Sequence, residues 1–427
     1  MATIGVALRS VKGQLDQWVN TQQIEQICRD LGHQWRERAL GPATTVHLFL
    51  LQLLAGVALD KLRHLCKLQV TGEAIRVAKN RLPLKLLMEL VERVRLPQEA
   101  LSQWNGLQVV LADALSFWTE DTPELCKKYG KGKNQRGKSN GRPLPKLLAT
   151  LDLNSGLIQK VLTLPWARNE RTCLHRMFKF LPPLSILLGD RGLVGFAQMA
   201  TMMAAGVQGC LQLPRWLVVH GKGKANHRRI KKLGKQDMLV SWRRGRRCAW
   251  MSKKAWNQLP QELVLRQIAF RILRPGYQPQ WAWIITTLTD SKKYPAQQLV
   301  ELYAKRWQVE VYFRDLKCTL KMGRPRAKDV AGVRKEVLTF VLLYNLVRQV
   351  MLQAAKRQQV EPQRLSFSDV TTWLLWSEPG ESLPDFKINA KRARPTQPRA
   401  IKQARKRWPQ LRQDRASLCK PRCHAKL

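Results

Sequence analysis

The chain has 427 residues with 44% hydrophobic content, and its 75 Lys and Arg against 30 Asp and Glu give a formal net charge of +45. Such a chain repels itself unless it binds a polyanion, so nucleic acid is the expected partner. The longest apolar run, Phe49–Leu59, is too short to span a bilayer, and no basic segment followed by an apolar one opens the chain. We therefore expect a cytoplasmic, nucleoid-associated protein that makes no membrane contact.

Residues 1–100 are predicted to be helical. Three segments carry apolar residues at helical spacing: Gln22–Leu31, Thr44–Leu65 and Leu84–Val94. The segment Val70–Leu82 begins with a Thr that can cap a helix and then presents three cations, Arg76, Lys79 and Arg81. This pattern suits a recognition helix of the helix-turn-helix type, and a plain helical bundle explains it about equally well.

From Gln108 onward the pattern changes to short apolar runs that predict strands. Two of these runs, Gln108–Asp113 and Ser185–Asp190, are continuous enough for buried strands, and each ends on an aspartate. The remaining elements are strands at Lys146–Asp152 and Leu157–Leu164 around a hairpin turn, and helices at Arg168–Phe180 and Leu193–Ala205. These elements predict a mixed sheet with helices on its faces, and functional groups gather beyond the strand ends of such sheets. Asp113 and Asp190 are therefore candidate site residues.

A third candidate carboxylate lies in a predicted helix near residue 310. Tyr303, Arg306, Glu310 and Lys317 stand at offsets 0, 3, 7 and 14, which at about 100° per residue place all four in roughly one 60° sector of an α-helix. An apolar seam is predicted beside this stripe, formed by Leu302, Val309, Phe313, Leu316 and Leu320. Glu301 and Asp315 are predicted to face water, so Glu310 is the candidate. The alternative is an ordinary amphipathic helix with intrahelical ion pairs.

Three carboxylates without histidine or cysteine around them predict a site for a hard cation, Mg²⁺ or Mn²⁺. Two such ions about 4 Å apart activate an attacking hydroxyl and stabilise a departing oxygen during displacement at phosphorus. The seven histidines show no zinc-binding spacing, and Cys419, Cys423 and His424 lack a second ligand pair. The sequence therefore points to metal-dependent phosphate chemistry.

Three basic segments predict contact with phosphates. Residues 127–146 carry eight Lys and Arg and no acid, residues 221–254 carry thirteen against one Asp, and residues 390–427 carry thirteen against one Asp. Within the first segment, Gly132–Ser139 matches the P-loop pattern, but Pro143 and Pro145 deny it the helix that a P-loop needs. We interpret that segment as a loop that tracks a nucleic acid backbone.

Taken together, these motifs resemble those of bacterial insertion-sequence transposases of the DDE class. The resemblance is to the family with the signature Tyr-x2-Arg-x3-Glu-x6-Lys, and Tyr303, Arg306, Glu310 and Lys317 match every position of it. The segment Asp190–Gly192 resembles the second acidic motif of the family, and Asp113 fits the first acidic position. The resemblance covers about residues 45–355.

The resemblance implies an α/β fold: an RNase H-like mixed sheet core interrupted by a β-rich insertion, with an all-helical N-terminal domain and a basic C-terminal tail. The expected domains are a DNA-binding domain at 1–100, catalytic core at 101–213 and 284–355, the insertion at 214–283, and a helical segment with the basic tail at 356–427. In related enzymes a tryptophan of the insertion stacks on a flipped base, which makes Trp281 and Trp283 candidates here. A core or surface role is the alternative.

The resemblance further implies cut-and-paste DNA transposition. Asp113, Asp190 and Glu310 would hold Mg²⁺ or Mn²⁺, and Tyr303, Arg306 and Lys317 would contact phosphates near the cleaved end. The expected partners are double-stranded DNA, both terminal inverted repeats and target, and a second copy of the chain as a homodimer on DNA. The alternatives are a catalytically inactive DNA-binding descendant and a nuclease without strand transfer.

Overall fold

The computed structural model describes residues 13, 15–66, 68–95, 102–133, 139–224, 226–272, 280–378 and 381–386. The predicted basic tail lies outside these residues, and so do Cys419, Cys423 and His424. The described residues up to Phe386 cluster into one compact unit.

Helices come first along the chain. The amino-terminal ones are α1 (Thr21–Asp30), α2 (Pro42–Ala55), α3 (Leu59–Leu65), α4 (Gly72–Arg81) and α5 (Leu84–Val94). The later ones are α6 (Pro123–Tyr129), α7 (Arg171–Phe178), α8 (Phe196–Ala204), α9 (Lys253–Asn257), α10 (Ala296–Ala304), α11 (Gln308–Arg314), α12 (Val330–Gln358) and α13 (Phe367–Trp376).

The strands form one large sheet and a small one. They are β1 (Gln103–Trp104), β2 (Leu107–Ser116), β3 (Lys131–Lys133), β4 (Ser139–Pro143), β5 (Lys146–Asp152), β6 (Ile158–Leu164), β7 (Ser185–Gly189), β8 (Gln208–Gln212), β9 (Gly223–Lys224), β10 (His227–Gly234), β11 (Asp237–Arg243), β12 (Glu262–Ile272) and β13 (Gln280–Thr286). The large sheet runs β6-β5-β2-β7-β8-β13-β12-β11-β10-β9, with β1 beside β2, while β3 pairs with β4.

The large sheet is mixed, which confirms the predicted α/β class. Strands β2, β7 and β8 are parallel, whereas on the other side β5 pairs antiparallel with β2 and β6 pairs antiparallel with β5. The parallel strands are buried because helices cover the sheet, and all five residues of β7 are buried. Parallel pairing brings the carboxyl ends of β2, β7 and β8 to the same edge.

Strands β9 to β13 extend the same sheet. The connection is β13, whose residues Ile284–Thr286 pair antiparallel with Cys210–Gln212 of β8. Strand β13 therefore crosses the predicted boundary between residues 283 and 284. The β-rich interval and the core share one continuous hydrogen-bonded sheet.

Helix α12 is the central helix of the core. Of the helices in the described part of the chain, it is the one long and apolar enough to cross a membrane by length and composition, yet 83% of its most apolar window is buried inside the protein. Its neighbours include α2, α5 and α13. Burial of this kind is what an internal helix of a folded domain requires.

Two details of the helical region differ from the sequence prediction. The predicted helix Thr44–Leu65 is two helices, because Gly56 takes a left-handed conformation at φ 65° and ends α2. Helix α4 is present, and the Thr71 hydroxyl accepts a hydrogen bond from the Ala74 N–H as its cap. Lys79, however, turns inward, where its Nζ lies 3.7 Å from the centre of the Phe49 ring. This lysine is therefore turned away from the exposed face of a recognition helix.

Candidate active site

Asp113 and Asp190 lie side by side at the edge where the parallel strands end. The register pairs Ala112 of β2 with Gly189 of β7, so the two aspartates occupy the next positions on neighbouring strands. The prediction that Asp113 ends its strand is wrong in detail, because β2 continues to Ser116 through its pairing with β5. The pairing of β2 with β7, however, stops just before Asp113, since its last pair is Ala112 with Gly189.

The Asp190 carboxylate begins a tight turn. One oxygen accepts a hydrogen bond from the Gly192 N–H at 2.8 Å, and the 3₁₀ turn Arg191–Leu193 follows. This bond uses one oxygen and leaves the other for a ligand.

Glu310 lies on α11, which is fixed from its opposite face. Val309 and Tyr312 are buried, and the Tyr312 hydroxyl donates a hydrogen bond to the Leu153 carbonyl at 2.7 Å. Gly156 makes this approach possible: it has φ +69°, and a Cβ there would come within 2.8 Å of the Tyr312 ring. The helix is thus pinned to the β5–β6 turn, while the Glu310 side chain stays 45% exposed.

The Arg306 guanidinium joins the carboxylates. One of its nitrogens lies 3.8 Å from Asp113 Oδ2, and the other lies 3.6 Å from Glu310 Oε1. Its side chain is only 11% exposed, so the charge is held close to the sheet edge. The sequence predicted a phosphate contact for Arg306 with intrahelical ion pairing as the alternative, and the structure contains the ion pair that the i,i+4 spacing to Glu310 predicts.

The Asp113 carboxyl has a shifted pKa. Burial raises its pKa to about 6, and the neighbouring charges of Asp190 and Glu310 add to the rise. The Ala114 N–H, which donates to Asp113 Oδ1 at 2.7 Å, and the Arg306 guanidinium both act against it. The strand register and the two ion-pair distances place Asp113, Asp190, Glu310 and Arg306 in one site, which we call the carboxylate site.

A third aspartate at the end of a strand shows what a purely structural one looks like. Asp152, at the end of β5, is 2% exposed. It accepts hydrogen bonds from the backbone N–H and the hydroxyl of both Ser102 and Ser155, at 2.6 to 2.8 Å. With its oxygens saturated, Asp152 has no capacity left for a ligand. Asp113 receives one hydrogen bond by comparison.

The helix that carries the signature is not a uniform α-helix. A 3₁₀ turn at Lys305–Trp307 separates α10 from α11, and a π-helical segment follows at Asp315–Thr319. The angular prediction therefore fails at Asp315, whereas Leu316 and Leu320 of the apolar seam are buried as predicted. Asp315, predicted to face water, is buried at 8% exposure, whereas the apolar seam and the exposed Glu301 are as predicted.

The two outer signature residues take different positions. Tyr303 is 7% exposed, and its hydroxyl makes no hydrogen bond of ordinary geometry. Burial raises its pKa, and the Arg306 guanidinium opposes the rise while Asp190 adds to it, so the ring lies close to the carboxylates. Lys317 is exposed, and its Nζ donates to the Ser116 carbonyl at the end of β2 at 2.8 Å.

Trp281 and Trp283 both lie on β13. Trp281 is 37% exposed, and the Arg271 guanidinium lies 4.7 Å from the centre of its ring. Trp283 is half-buried and packs against the hydrophobic cluster under the extended half of the sheet. Trp281 has the more accessible ring of the two, and the roles of both stay predictions.

The donor set fits a hard divalent cation by its chemistry, since all three side chains offer carboxylate oxygen. In the part of the chain that the structure describes, no three His, Cys, Asp or Glu side chains lie close enough to enclose a metal ion. Arg306 occupies the space between Asp113 and Glu310. A cation that bridged these two residues would therefore have to displace its guanidinium.

A cavity with four cations on its wall was not foreseen from the sequence. It has a volume of about 640 Å³ and lies between the end of α2 and residues 320–328, with Lys321, Arg324, Arg326 and Lys328 on its wall. The Gly323 carbonyl accepts a hydrogen bond from the Trp118 N–H, just beyond β2. Four cations within eight residues were the signal that could have revealed it.

Comparison with known proteins agrees with this geometry. The family described as "Transposase DDE domain" matches residues 104–346. The chain is 26% identical over 269 residues to the transposase InsG for insertion sequence element IS4 of Escherichia coli (strain K12), a match that covers 62% of this chain and 57% of InsG. It is 30% identical over 113 residues to the putative transposase InsZ of the same organism, covering 26% of this chain and 38% of InsZ.

The matches therefore span little more than half the length of InsG and a smaller share of InsZ. Among solved structures, the cryo-EM structure of a piggyBac transposase synaptic complex with hairpin DNA aligns at a TM-score of 0.46 and 9% identity, covering 85% of this chain and 78% of that one. The DDE domain match contains Asp113, Asp190 and Glu310 and covers more than half of the chain. The chain therefore belongs to the transposase DDE domain family.

Proposed function

We propose that this chain is a cut-and-paste transposase of the subset with the Tyr-Arg-Glu-Lys signature. It would cleave DNA at the ends of an insertion sequence and transfer the freed strand into target DNA. The observation that carries the proposal is the placement of three carboxylates together: Asp113 and Asp190 lie on neighbouring strands, and the Arg306 guanidinium links Asp113 to Glu310. Carboxylates that repel one another at a sheet edge gain most from a bound cation.

Asp113, Asp190 and Glu310 would hold Mg²⁺ or Mn²⁺. When bound, the ions supply Lewis acid stabilisation of the attacking and departing oxygens at phosphorus. The protein contributes position: β2 and β7 fix the two aspartates, and the Tyr312 contact fixes the helix of Glu310. Rigid placement of this kind accounts for much of the acceleration in phosphoryl transfer.

Arg306 would serve two states of the site. In the free protein its guanidinium neutralises Asp113 and Glu310 at 3.8 and 3.6 Å. With cations in place, the same planar group would turn to a phosphate near the cleaved end, for which its paired donors are well suited. Tyr303 and Lys317 would support it, Tyr303 by packing beside it and Lys317 by contacting the DNA from the end of β2.

The wider assembly is also part of the proposal. The N-terminal helical region would recognise the terminal inverted repeats, and Arg76 and Arg81 remain at the surface of α4 for that task. Trp281 or Trp283, which lie on β13 in the predicted insertion, would stack on a base of the DNA. Cleavage of two ends together would require a homodimer on DNA, in the cytoplasm at the nucleoid.

Two other functions deserve a direct comparison. A catalytically inactive DNA-binding descendant would keep the basic surface, and the three acidic positions retained at one edge favour activity over it. A nuclease without strand transfer would use the same carboxylates, and only a joined product separates it from a transposase.

The test is cleavage of a labelled duplex that carries the inverted repeats flanking the gene, with and without Mg²⁺. We expect the wild-type chain to nick the end only with the cation and to join it to a second duplex. Glu310→Gln should bind the same duplex with unchanged affinity and fail to cut it. Glu301→Gln, an exposed position on the preceding helix, is the matched control and should cut normally. Normal cutting by Glu310→Gln would contradict the assignment.

A further inference from the structure

Strand β10 is unusual in being exposed along most of its length. Five consecutive residues, Arg228 to Lys232, are all exposed to solvent, and four of them are cations. A strand that served only to extend a buried sheet would alternate apolar and polar side chains. The exposure of β10 therefore requires a different explanation.

The pairing of β10 leaves part of its edge open. On one side it pairs with β11 along its whole length, whereas β9 opposes only His227 and Arg228 on the other side. Within the described residues, the stretch from Ile230 to Gly234 has no strand beyond it. Two irregularities in its register, at Ile230 and Leu233, bend this stretch away from a flat ladder.

The carboxylates near β10 are already neutralised. Asp237 is buried in a two-bond ion pair with Arg266, whose nitrogens lie 2.8 and 2.5 Å from its oxygens. Glu262 accepts a hydrogen bond from Ser241 and lies 3.6 Å from Arg228 and 3.9 Å from Arg243. Neither acid is left to balance the remaining cations.

The remaining cations are unpaired. Among the described residues, no carboxylate lies within ion-pair distance of the exposed cations of this ribbon: Lys222, Lys224, Arg229, Lys231, Lys232 and Lys235. They belong to a three-stranded ribbon of β9, β10 and β11 that ends the sheet. Lysine on an edge strand also prevents edge-to-edge aggregation, and the binding measurement below separates that role from phosphate contact.

We propose that the β9–β10–β11 ribbon binds the phosphate backbone of double-stranded DNA without regard to sequence. The exposed cations of β10 present a row of positive charge at the end of the sheet, and a duplex carries one negative charge per roughly 1.7 Å of its axis. This contact holds DNA outside the terminal repeats, at a surface separate from the carboxylate site. The inference rests on the proposed function only in taking DNA as the substrate class.

The test is the salt dependence of binding by the full-length protein to a random-sequence duplex without inverted repeats. Each phosphate contact contributes about 0.9 to the slope of log affinity against log salt concentration. The double variant Lys231→Ala with Lys232→Ala should therefore lower the slope by about 2. Its melting temperature should match that of the wild type, because both side chains are exposed.

The matched control removes the same charge in the same interval. Lys253 and Lys254 are exposed on α9, whose Trp256 packs under the sheet. We expect Lys253→Ala with Lys254→Ala to leave the slope within about 0.5 of the wild-type value. An equal loss in both double variants would overturn the proposal, because binding would then follow net charge and not the ribbon.

Two further outcomes also decide the question. If the ribbon variant loses affinity for a single-stranded oligonucleotide and keeps its affinity for the duplex, the proposed partner is wrong. If it cuts saturating amounts of an inverted-repeat duplex at the wild-type rate, the ribbon is separate from the active site, as we propose. Failure of the wild type to cut would count against the carboxylate site alone, since the random-duplex measurement does not depend on cleavage.

Discussion

The two halves of the large sheet handle charge in opposite ways. One region lies at the ends of β2 and β7 and contains three carboxylates, Asp113, Asp190 and Glu310. Among the described residues, Arg306 is the one cation that pairs with two of them, Asp113 and Glu310. On β11 and β12, Asp237 and Glu262 are each paired with arginine, and the neighbouring cations have no partner. The first region therefore has carboxylates in excess, and the second has cations in excess.

Under the proposed function, this difference would separate two tasks, cation binding and phosphate binding. Excess carboxylate at a fixed edge attracts divalent cations, because each added positive charge relieves repulsion among the acids. Excess cation on an exposed ribbon attracts phosphates, and the attraction grows weaker with salt. Both kinds of site are built on one continuous sheet, so the geometry between them is set by strand pairing.

The largest effect on folding is expected from removing the buried ion pair of the second region, between Arg266 and Asp237. Arg266 is fully buried and donates to both Asp237 oxygens and to the Tyr294 carbonyl. Arg266→Ala leaves Asp237 buried without its partner, which should lower the free energy of unfolding by about 3 to 5 kcal/mol. Chemical denaturation measures it, and Arg229→Ala on exposed β10 should change the value by less than about 0.5 kcal/mol. A small effect of Arg266→Ala would mean that the pair is not essential to the sheet.

The next effect is expected from removing the cation of the first region. Arg306→Ala leaves Asp113 and Glu310 without their shared partner and removes the proposed phosphate contact. Single-turnover cleavage of a saturating labelled end in Mg²⁺ should slow by roughly 10²-fold, and Arg306→Lys should recover only part of the rate because lysine lacks the planar fork. Arg314→Ala, exposed on the same helix, is the control and should cut normally. A wild-type cleavage rate for Arg306→Ala would show that Arg306 makes no contribution to cleavage.

A smaller effect on stability is expected from the titration of Asp315, which follows the helix of Glu310. Burial raises the pKa of Asp315 to about 6, above the ordinary value near 3.9, although Arg348 and Arg314 oppose the rise. The folded state therefore binds this proton more tightly, so the contribution of Asp315 favours folding below about pH 4 and is lost as the pH rises through about 6.

Asp315→Asn removes this titration. The difference in unfolding free energy between variant and wild type should shift in favour of the variant by roughly 2 kcal/mol between pH 4 and pH 7. Urea denaturation across that range provides the measurement, with the exposed Glu301→Gln as the matched control. Parallel pH profiles for Asp315→Asn and wild type would show that the buried acid is not the titrating group.

The parts predicted from sequence are those fixed by local pattern. Buried parallel strands require continuous apolar runs, so Gln108–Asp113 and Ser185–Asp190 could be identified and their aspartates placed at one edge. The Thr71 cap follows from a residue preference at the start of a helix. Glu310 stood out because its helix carries a buried seam beside it.

The parts that could not be predicted depend on distant contacts. The π-helical segment after Arg314 follows a helix anchored by the hydrogen bond from Tyr312 to Leu153, which is 159 residues away, and it buries Asp315 against expectation. Lys79 turns inward because Phe49 and Gln52 of another helix lie beneath it. The pairing of β8 with β13 could not be predicted from the sequence either, since periodicity identifies a strand and not its partner.

The most direct test of the central claim replaces Asp190 by cysteine and compares cleavage in Mg²⁺ with cleavage in Mn²⁺. Thiolate is a poor ligand for Mg²⁺ and a better one for Mn²⁺. We predict that Asp190→Cys loses about 10³-fold in Mg²⁺ and regains at least about tenfold in Mn²⁺. Asp290→Cys replaces another aspartate that caps a turn, and should cut as the wild type does in both ions. An Asp190→Cys variant whose activity relative to wild type is the same in both ions would contradict the assignment of Asp190 as a metal ligand.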